Sequence, residues 1–249
     1  MIFDLSKCFN KNSAYIKNIH NDDNLIHRAY EILRGYCHDI FIPDVRIKKN
    51  IPIGGGLAGG STDASCFINF VLDFNKISIK EKMDFMKYCE VLGSDIPVCL
   101  YHYIHGDKLL LLEGIGKSHE IRCISSSDDI DGLKIIIVND NDFLSTRDVF
   151  LNFKEKFDDK IIFSDNISLE FLKNSRNILE RSALKLCRNI KNILEDLKMT
   201  NPIFYRMSGS GSSCFGVYDR DVDIDDISRL LKKKYAFVTT STIKLDKCV

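Results

Sequence analysis

"IPIGGGLAGGSTDAS", residues 51 to 65, places five glycines within seven positions, directly ahead of a run that can begin a helix. Glycine lets backbone N–H groups crowd an anion, and a helix N-terminus adds unpaired donors and a positive dipole end. The stretch therefore predicts a phosphate site. Composition alone leaves a plain flexible turn open as the alternative.

Two familiar phosphate motifs do not describe this loop. Gly54, Gly56 and Gly59 fit G-x-G-x-x-G, but that fingerprint follows a buried apolar strand, whereas "VRIKKNIPI" is interrupted by lysines and asparagine. A G-x-x-x-x-G-K-[ST] loop needs a lysine before the hydroxyl residue, and here Gly60 leads directly into Ser61. Only the general phosphate-binding interpretation is left.

The bulk composition indicates a globular protein that acts on a small molecule. The 249 residues are 45% apolar and 28% charged, and 35 basic residues balance 35 acidic ones. Such a balance offers no global field for nucleic acid or an anionic membrane, and the apolar runs are too short to span a bilayer. We expect a cytoplasmic protein without nucleic-acid or membrane partners. Its oligomeric state is not predicted.

Cysteine and histidine spacing predicts neither disulfides nor a metal site. The nine cysteines are odd in number and contain no C-x-x-C, and the six histidines lack metal-ligand spacing. Reduced, structural thiols are therefore expected.

Hydrophobic periodicity and turn residues predict a mixed chain of helices and strands in two α+β layers. The polar stretch "SSSDDIDG", 125 to 132, is the predicted domain boundary, which separates residues 1–130 from 131–249. Helices are predicted at 23–34, 61–73, 78–92, from Thr146, 177–198 and 224–233, and strands at 40–47, 96–103, 108–114, 133–138, 203–207, 214–219 and 236–243. Ser78 and Glu81 predict an S-x-x-E capping box at the start of the helix at 78–92.

Asp95 in "GSDIPV" is the candidate proton acceptor. It follows a predicted helix, and Pro97 is expected to hold Ile96 extended. A loop aspartate that only makes an Asx-turn is the alternative.

Several residues around the loop are candidates for charge and metal binding. Lys48 and Lys49 precede it and could screen phosphate, or could simply be solvated. Ser61 or Thr62 could reach Mg²⁺, although an ordinary helix cap would look the same. The second glycine-serine loop, in "MSGSGSSCFG" (207 to 216), could close a clamp or merely a hairpin.

Taken together, the motifs resemble a known enzyme family. "KKNIPIGGGLAGGSTDAS", "LGSDIPV" and "MSGSGSSCFG" occur in the order of the three regions shared by the GHMP small-molecule kinases. "DDNLIHRAYEIL", "EGIGKSHEI", "VNDNDFLSTRDVF" and "NILERSALKL" are similar to the 4-diphosphocytidyl-2-C-methyl-D-erythritol kinases within that family. The resemblance covers nearly the whole chain from about residue 23.

The resemblance implies a two-domain α+β kinase, with a nucleotide-binding N-terminal domain and a ferredoxin-like C-terminal domain. It implies ATP, with Mg²⁺ accompanying it, and Asp95 as the base that deprotonates the attacking 2-hydroxyl of the cytidyl substrate. The nucleotide-binding residues that it implies are Lys49, Pro52, Gly54, Gly55, Gly56, Leu57, Ala58, Gly59, Gly60, Ser61 and Thr62.

For the substrate, the resemblance implies that Thr146 and Phe150 match a T-x-x-x-[FY] segment whose ring packs on cytosine. A core phenylalanine is the alternative for Phe150. Gly209, Ser210 and Gly211 match the second glycine loop, near the substrate phosphates, and Asp95 also contacts the substrate.

The chain departs from the family pattern in two places. Asp140 stands where the family has a proline. The family's opening P-A-K-[IL]-N-L strand and D-G-Y-H segment are not found, and "AYIKNIH" (14 to 20) lies too close to the first helix to replace them. Two alternatives therefore stay open, another GHMP kinase such as a homoserine or mevalonate kinase, and a catalytically incomplete nucleotide-binding remnant. Phe150 argues against the first alternative.

Overall fold

A computed structural model describes residues 2–3, 24–36, 40–42, 46–106, 108–156 and 166–245. Contacts divide these residues into two compact units. One takes the described residues up to Asn50 together with Ala58–Ile124, and the other takes Ile51–Leu57 and Ser125–Leu245. The division at residue 130 stays a prediction. Expectations about residues 4–23, and about residues 43–45 of the predicted strand, lie outside the described residues.

The N-terminal unit is mainly helical, because apolar residues recur at helical spacing and pack into one core. Helix α2 contributes a continuous buried stripe to this core, which includes Ala64, Ile68 and Leu72. Its elements are β1 (Ile2–Phe3), α1 (Leu25–Tyr36), β2 (Arg46–Ile47), α2 (Gly59–Phe74), α3 (Ile79–Cys89), a 3₁₀ turn (Glu90–Leu92), α4 (Asp95–His105), β3 (Leu110–Leu112), a 3₁₀ turn (Ser118–Glu120) and β4 (Ile121–Cys123).

Local signals account for where α3 begins and for the two small sheets of this unit. Ser78 accepts a hydrogen bond from the Glu81 N–H and Glu81 reaches back to the Ser78 N–H, which is the capping box that the sequence predicts. Strand β1 pairs with β2 in parallel, and β3 pairs with β4 antiparallel. The predicted helix at 78–92 is confirmed as α3 and the 3₁₀ turn that follows it.

The C-terminal unit is built on a four-stranded antiparallel sheet in the order β10-β6-β9-β8. Apolar side chains of this sheet and of the helices form its core. The elements are β5 (Ser125–Ser126), β6 (Lys134–Asn139), α5 (Thr146–Leu151), β7 (Asn166–Ile167), α6 (Leu169–Asn174), α7 (Glu180–Leu186), α8 (Asn189–Met199), β8 (Phe204–Met207), β9 (Cys214–Tyr218), α9 (Ile224–Lys232) and β10 (Phe237–Thr242).

Most element predictions are confirmed and two are wrong, and within the described part of the strand predicted at 40–47 only Arg46–Ile47 form a strand. The predicted strand at 96–103 is part of helix α4. The predicted single helix at 177–198 is two helices, α7 and α8, because Cys187 takes an extended conformation between them. No helix in the described ranges combines the length and apolarity that a membrane crossing requires.

Candidate active site

The helix after the glycine loop begins two residues earlier than the sequence predicts. Ala58 adopts the left-handed conformation (φ 50°) and precedes Gly59, the first helical residue. The Thr62 N–H is the first in the helix to reach an intrahelical acceptor, the Ala58 carbonyl at 2.8 Å. The three preceding N–H groups, of Gly59, Gly60 and Ser61, therefore form the donor end of α2.

Ser61 and Thr62 are consequently not helix caps. The Thr62 hydroxyl lies 3.0 Å from the Ala58 carbonyl and donates to it. The Ser61 hydroxyl has no hydrogen-bond partner among the described residues, so of the two it is the more available to a ligand.

The first half of the loop packs on the second glycine loop within the C-terminal unit. Gly56 (φ +70°) is so close to it that an added Cβ would lie 2.4 Å from the Ser208 carbonyl oxygen and 2.6 Å from that of Gly211. Ser208 Oγ donates to the Gly56 carbonyl at 2.8 Å, and the Ser213 N–H donates to the Gly55 carbonyl at 2.9 Å. The two glycine motifs, far apart in sequence, are thus one packed substructure.

Gly54 and Gly60 are glycines for different structural reasons. An added Cβ on Gly54 (φ +66°) would lie 2.3 Å from the Phe143 ring, so Gly54 is required by packing. At Gly60 the same atom would meet only Leu25 Cδ1, at an ordinary 3.5 Å. Protein packing therefore leaves room for a side chain at Gly60, and this exposed glycine instead keeps the donor end of α2 open.

A buried asparagine lies beneath both loops. Asn139, the last residue of β6, donates from Nδ2 to Ser212 Oγ at 3.0 Å and to Ser213 Oγ at 2.9 Å. An added Cβ on Gly55 would lie 3.3 Å from this Nδ2. Asn139 Oδ1 is buried and has no hydrogen-bond partner among the described residues.

Lys49 does not extend freely toward the loop. Its ammonium group pairs with the Asp63 carboxylate in the N-terminal part of α2, and both side chains are at least partly buried. The pair holds a cation close to the helix N-terminus, within the N-terminal unit.

Asp95 occupies the first turn of helix α4, not an extended segment. The sequence interpretation that Pro97 holds Ile96 extended is wrong. Pro97 is the third residue of the helix, where its missing N–H removes no intrahelical bond. The Asp95 side chain is exposed, and its carboxylate lies where the helix dipole favours negative charge.

Two contacts hold the N-terminus of α4 against that of α2. The buried Ser65 hydroxyl donates to the Ile96 carbonyl at 3.1 Å. Thr62 Oγ1 lies 3.8 Å from Cys99 Sγ, one turn along from Asp95. Burial raises the pKa of the Cys99 thiol, the Thr62 hydroxyl opposes that rise, and the Asp95 charge adds to it. The first two turns of α2 and the first two turns of α4 are therefore in contact in the N-terminal unit.

The loop "EGIGKS" supports the turn that leads into Asp95. Gly116 (φ +87°) packs so closely on Ser94 that an added Cβ would lie 2.5 Å from its Cα. Glu90 accepts hydrogen bonds from the Ser118 N–H and hydroxyl at 2.8 and 2.7 Å. Any residue larger than glycine at position 116 would displace the Asp95 turn.

Apart from Asp95, the residues predicted to contact substrate belong to the C-terminal unit. Thr146 Oγ1, at the start of α5, lies 2.8 Å from Ser210 Oγ in the second glycine loop. The Phe150 ring, one turn further along α5, is 51% exposed, whereas its neighbour Val149 is buried. The core alternative for Phe150 is therefore wrong, and its ring is open to a ligand.

Residues that could hold a metal are sparse. Among the residues that the structure describes, no three His, Cys, Asp or Glu side chains come together as a metal site. Sequence reasoning missed Asn139, Phe143 and Asn177, although each lies within a motif that it had singled out.

The chain is similar in sequence and in fold to known proteins. The family models "GHMP kinases N terminal domain" and "GHMP kinases C terminal" match residues 24–103 and 166–236. The 4-diphosphocytidyl-2-C-methyl-D-erythritol kinase of Bartonella tribocorum is 30% identical, with 87% of this chain and 73% of the relative covered. That of Agrobacterium fabrum is 29% identical, with 89% and 75% covered.

A solved structure agrees with the sequence relatives. The crystal structure of a 4-(cytidine 5'-diphospho)-2C-methyl-D-erythritol kinase matches with a TM-score of 0.67 and 19% identity, over 92% of this chain and 81% of the other, a likeness that shows the α+β fold. The chain therefore belongs to the GHMP kinase family of small-molecule kinases, in the group formed by the 4-diphosphocytidyl-2-C-methyl-D-erythritol kinases.

Proposed function

We propose that this protein transfers the γ-phosphoryl group of ATP to the 2-hydroxyl of 4-diphosphocytidyl-2-C-methyl-D-erythritol, a step of the non-mevalonate isoprenoid pathway. The named relatives support the substrate, since two of them are 29 and 30% identical over most of both chains. The predicted cytoplasmic location stays a prediction.

The loop from Gly54 to Ser61 is proposed to bind the triphosphate. The N–H groups of Gly59, Gly60 and Ser61 are donors at the N-terminus of a 16-residue helix, the arrangement that favours anions. Lys49 lies close to this helix end with its charge balanced by Asp63, so the backbone N–H groups are the main donors to phosphate. Mg²⁺ bound to the nucleotide would neutralise phosphate charge, and Ser61 or Thr62 would be its protein ligand.

Asp95 is proposed as the general base. Its carboxylate accepts the proton of the attacking hydroxyl while the oxygen forms a bond to the γ-phosphorus, and the bond to the bridging oxygen breaks to release ADP. The contacts of Ser65 and Thr62 with α4 support this role, since they hold the Asp95 helix against the donor end of α2.

Thr146, Phe150 and the loop Gly209–Gly211 are proposed to bind the substrate. The exposed Phe150 ring can stack on a cytosine base, and the hydroxyl pair of Thr146 and Ser210 fixes the second loop next to that ring's helix. Backbone N–H groups in a loop with two left-handed glycines suit the substrate phosphates.

The neighbouring helix N-termini of α2 and α4 are the observation that carries the proposal, because they combine phosphate donors with a carboxylate. The test is a steady-state assay of the purified chain with ATP and, separately, the cytidyl substrate, homoserine and mevalonate. We expect ADP release with the cytidyl substrate and ³¹P NMR of a product phosphorylated on its 2-hydroxyl.

Preferential turnover of homoserine or mevalonate would support another GHMP kinase activity instead. Nucleotide binding without turnover of any of the three compounds would support the catalytically incomplete alternative. Either result would contradict the proposed reaction.

A further inference from the structure

The turn between α6 and α7 contains a side chain whose hydrogen-bonding groups are directed at the second glycine loop. Asn177 Nδ2 donates to the Met207 carbonyl at 3.0 Å and to the Gly209 carbonyl at 2.7 Å. Its Oδ1 accepts from the Leu179 N–H at 3.0 Å. Both amide hydrogens and the carbonyl of the side chain are therefore used.

The same turn also binds the other side of Met207. Glu180 Oε2 accepts the Met207 N–H at 3.1 Å, so the N–H and the carbonyl of one residue are held by two side chains of the "NILE" sequence, 177 to 180. Met207 ends β8, the edge strand of the sheet, and its backbone groups that face away from β9 would otherwise lack strand partners. The turn thus anchors the residue from which the loop departs.

Because the peptide group is planar, a side chain that holds a carbonyl in place also fixes the direction of the N–H group in the same peptide. In a trans peptide the carbonyl and the next N–H point in opposite directions. The Met207 carbonyl points to Asn177, and the N–H of the same peptide, on Ser208, donates to the Ser213 carbonyl at 2.9 Å on the far side. By the same geometry, the Gly209 carbonyl on Asn177 directs the Ser210 N–H away from the turn.

The Ser210 N–H has no acceptor in the part of the chain that the structure describes. Ser210 itself is nearly buried, and its hydroxyl is already engaged with Thr146 at 2.8 Å. A fixed, unpaired backbone donor beside two left-handed glycines is the type of group that binds phosphate oxygens.

We propose that Asn177 is a positioning residue that aims the Ser210 N–H at a phosphate of the substrate, and thereby sets substrate affinity without touching the substrate. This inference rests on the proposed function for the identity of the substrate. The positioning itself is a property of the loop and can be measured without turnover.

Two variants of Asn177 separate aiming the loop from supporting the fold. Asn177→Ala removes every side-chain bond. Asn177→Asp keeps the shape and the acceptor for the Leu179 N–H, but it replaces both donors by an oxygen that faces two carbonyls. Asn201→Asp is the matched control, because it adds the same charge on an exposed side chain that makes no hydrogen bond to the described residues.

We expect the KM for the cytidyl substrate to rise about tenfold in both Asn177 variants, the effect of losing two ordinary hydrogen bonds. The KM for ATP should change by less than about threefold, because a loss confined to the cytidyl substrate separates aiming of the loop from general destabilisation. Hydrogen exchange of peptides covering 207 to 213 should accelerate in both variants. The control should match the wild type.

The inference is overturned if substrate KM and exchange in both Asn177 variants match those of Asn201→Asp. It is equally overturned if both KM values rise together in step with a lower unfolding temperature, since Asn177 would then only support the fold. A wild type that fails to phosphorylate the cytidyl substrate refutes the proposed function alone, and the exchange rates then decide the role of Asn177.

Discussion

Gly56→Ala and Gly60→Ala should have opposite effects on stability, although both glycines belong to one loop. At Gly56 the new Cβ would lie 2.4 Å from the Ser208 carbonyl oxygen, 2.6 Å from that of Gly211 and 2.8 Å from the Gly211 nitrogen. All three atoms are backbone, so the loops must move apart. The residue also has a φ of +70°, which costs a non-glycine residue about 1–2 kcal/mol.

We therefore expect Gly56→Ala to lower the free energy of unfolding by at least about 2 kcal/mol, or the unfolding temperature by about 4–8 °C for a chain of this size. Because Gly56 packs on the second glycine loop, the KM for ATP and the KM for the cytidyl substrate should both rise. Gly60→Ala meets only Leu25 Cδ1 at 3.5 Å, and alanine favours a helix over glycine, so its unfolding temperature should stay the same or rise.

In Gly60→Ala the KM for ATP should rise about tenfold (~1.4 kcal/mol), because the added methyl group would lie at the donor end of α2. The two measurements are thermal unfolding monitored by circular dichroism and steady-state kinetics with each substrate varied in turn. Equal losses of stability in the two variants would refute the distinction between a packing glycine and a ligand-facing glycine. So would a Gly60→Ala enzyme with an unchanged KM for ATP.

Three further outcomes follow from the same contacts. Asp95→Asn should lower kcat about 10²- to 10⁴-fold while calorimetric ATP affinity stays within about threefold, and a near-normal kcat would exclude Asp95 as the base. Phe150→Ala should raise the KM for the cytidyl substrate without lowering the unfolding temperature, because the ring is 51% exposed, whereas Phe150→Tyr should retain the affinity. Iodoacetamide near neutral pH should label exposed Cys66 in the folded protein and spare Cys89, whose pKa burial raises to about 12, and Cys214, whose pKa burial also raises. Mass spectrometry that finds all three labelled equally would contradict the burial pattern.

The sequence predicted the elements that periodicity and caps determine, and it failed where tertiary context decides. The capping box at Ser78 and the strand from Lys134 to Asn139 are confirmed, because both have local signals. Helix α4 was mistaken for a strand, because a short apolar run that contains Pro97 fits either structure until the position of the proline within the first turn is known.

The sequence predicted the type of site and the motifs that form it, but not the contacts between those motifs. Both glycine loops were singled out, but not the packing of Gly56 on Ser208, because the two residues lie 152 positions apart and nothing in the sequence signals their contact. The contact between Thr146 and Ser210 likewise joins two motifs that were assigned separately. The residue types in the motifs indicated the chemistry of the site. The contacts among those residues are determined by the fold and could not be predicted from the sequence.

The turn that binds Met207 also covers part of the edge of the sheet. Edge strand β8 spans only Phe204–Met207. Its last residue has both outward backbone groups occupied by Asn177 and Glu180, and the Arg206 guanidinium binds the Leu172 carbonyl and Ser175 Oγ at 2.7 and 2.6 Å. A short, charged and covered edge offers little template to a strand of another molecule. The segment that holds the second glycine loop therefore also protects the sheet edge from pairing with a strand of another molecule.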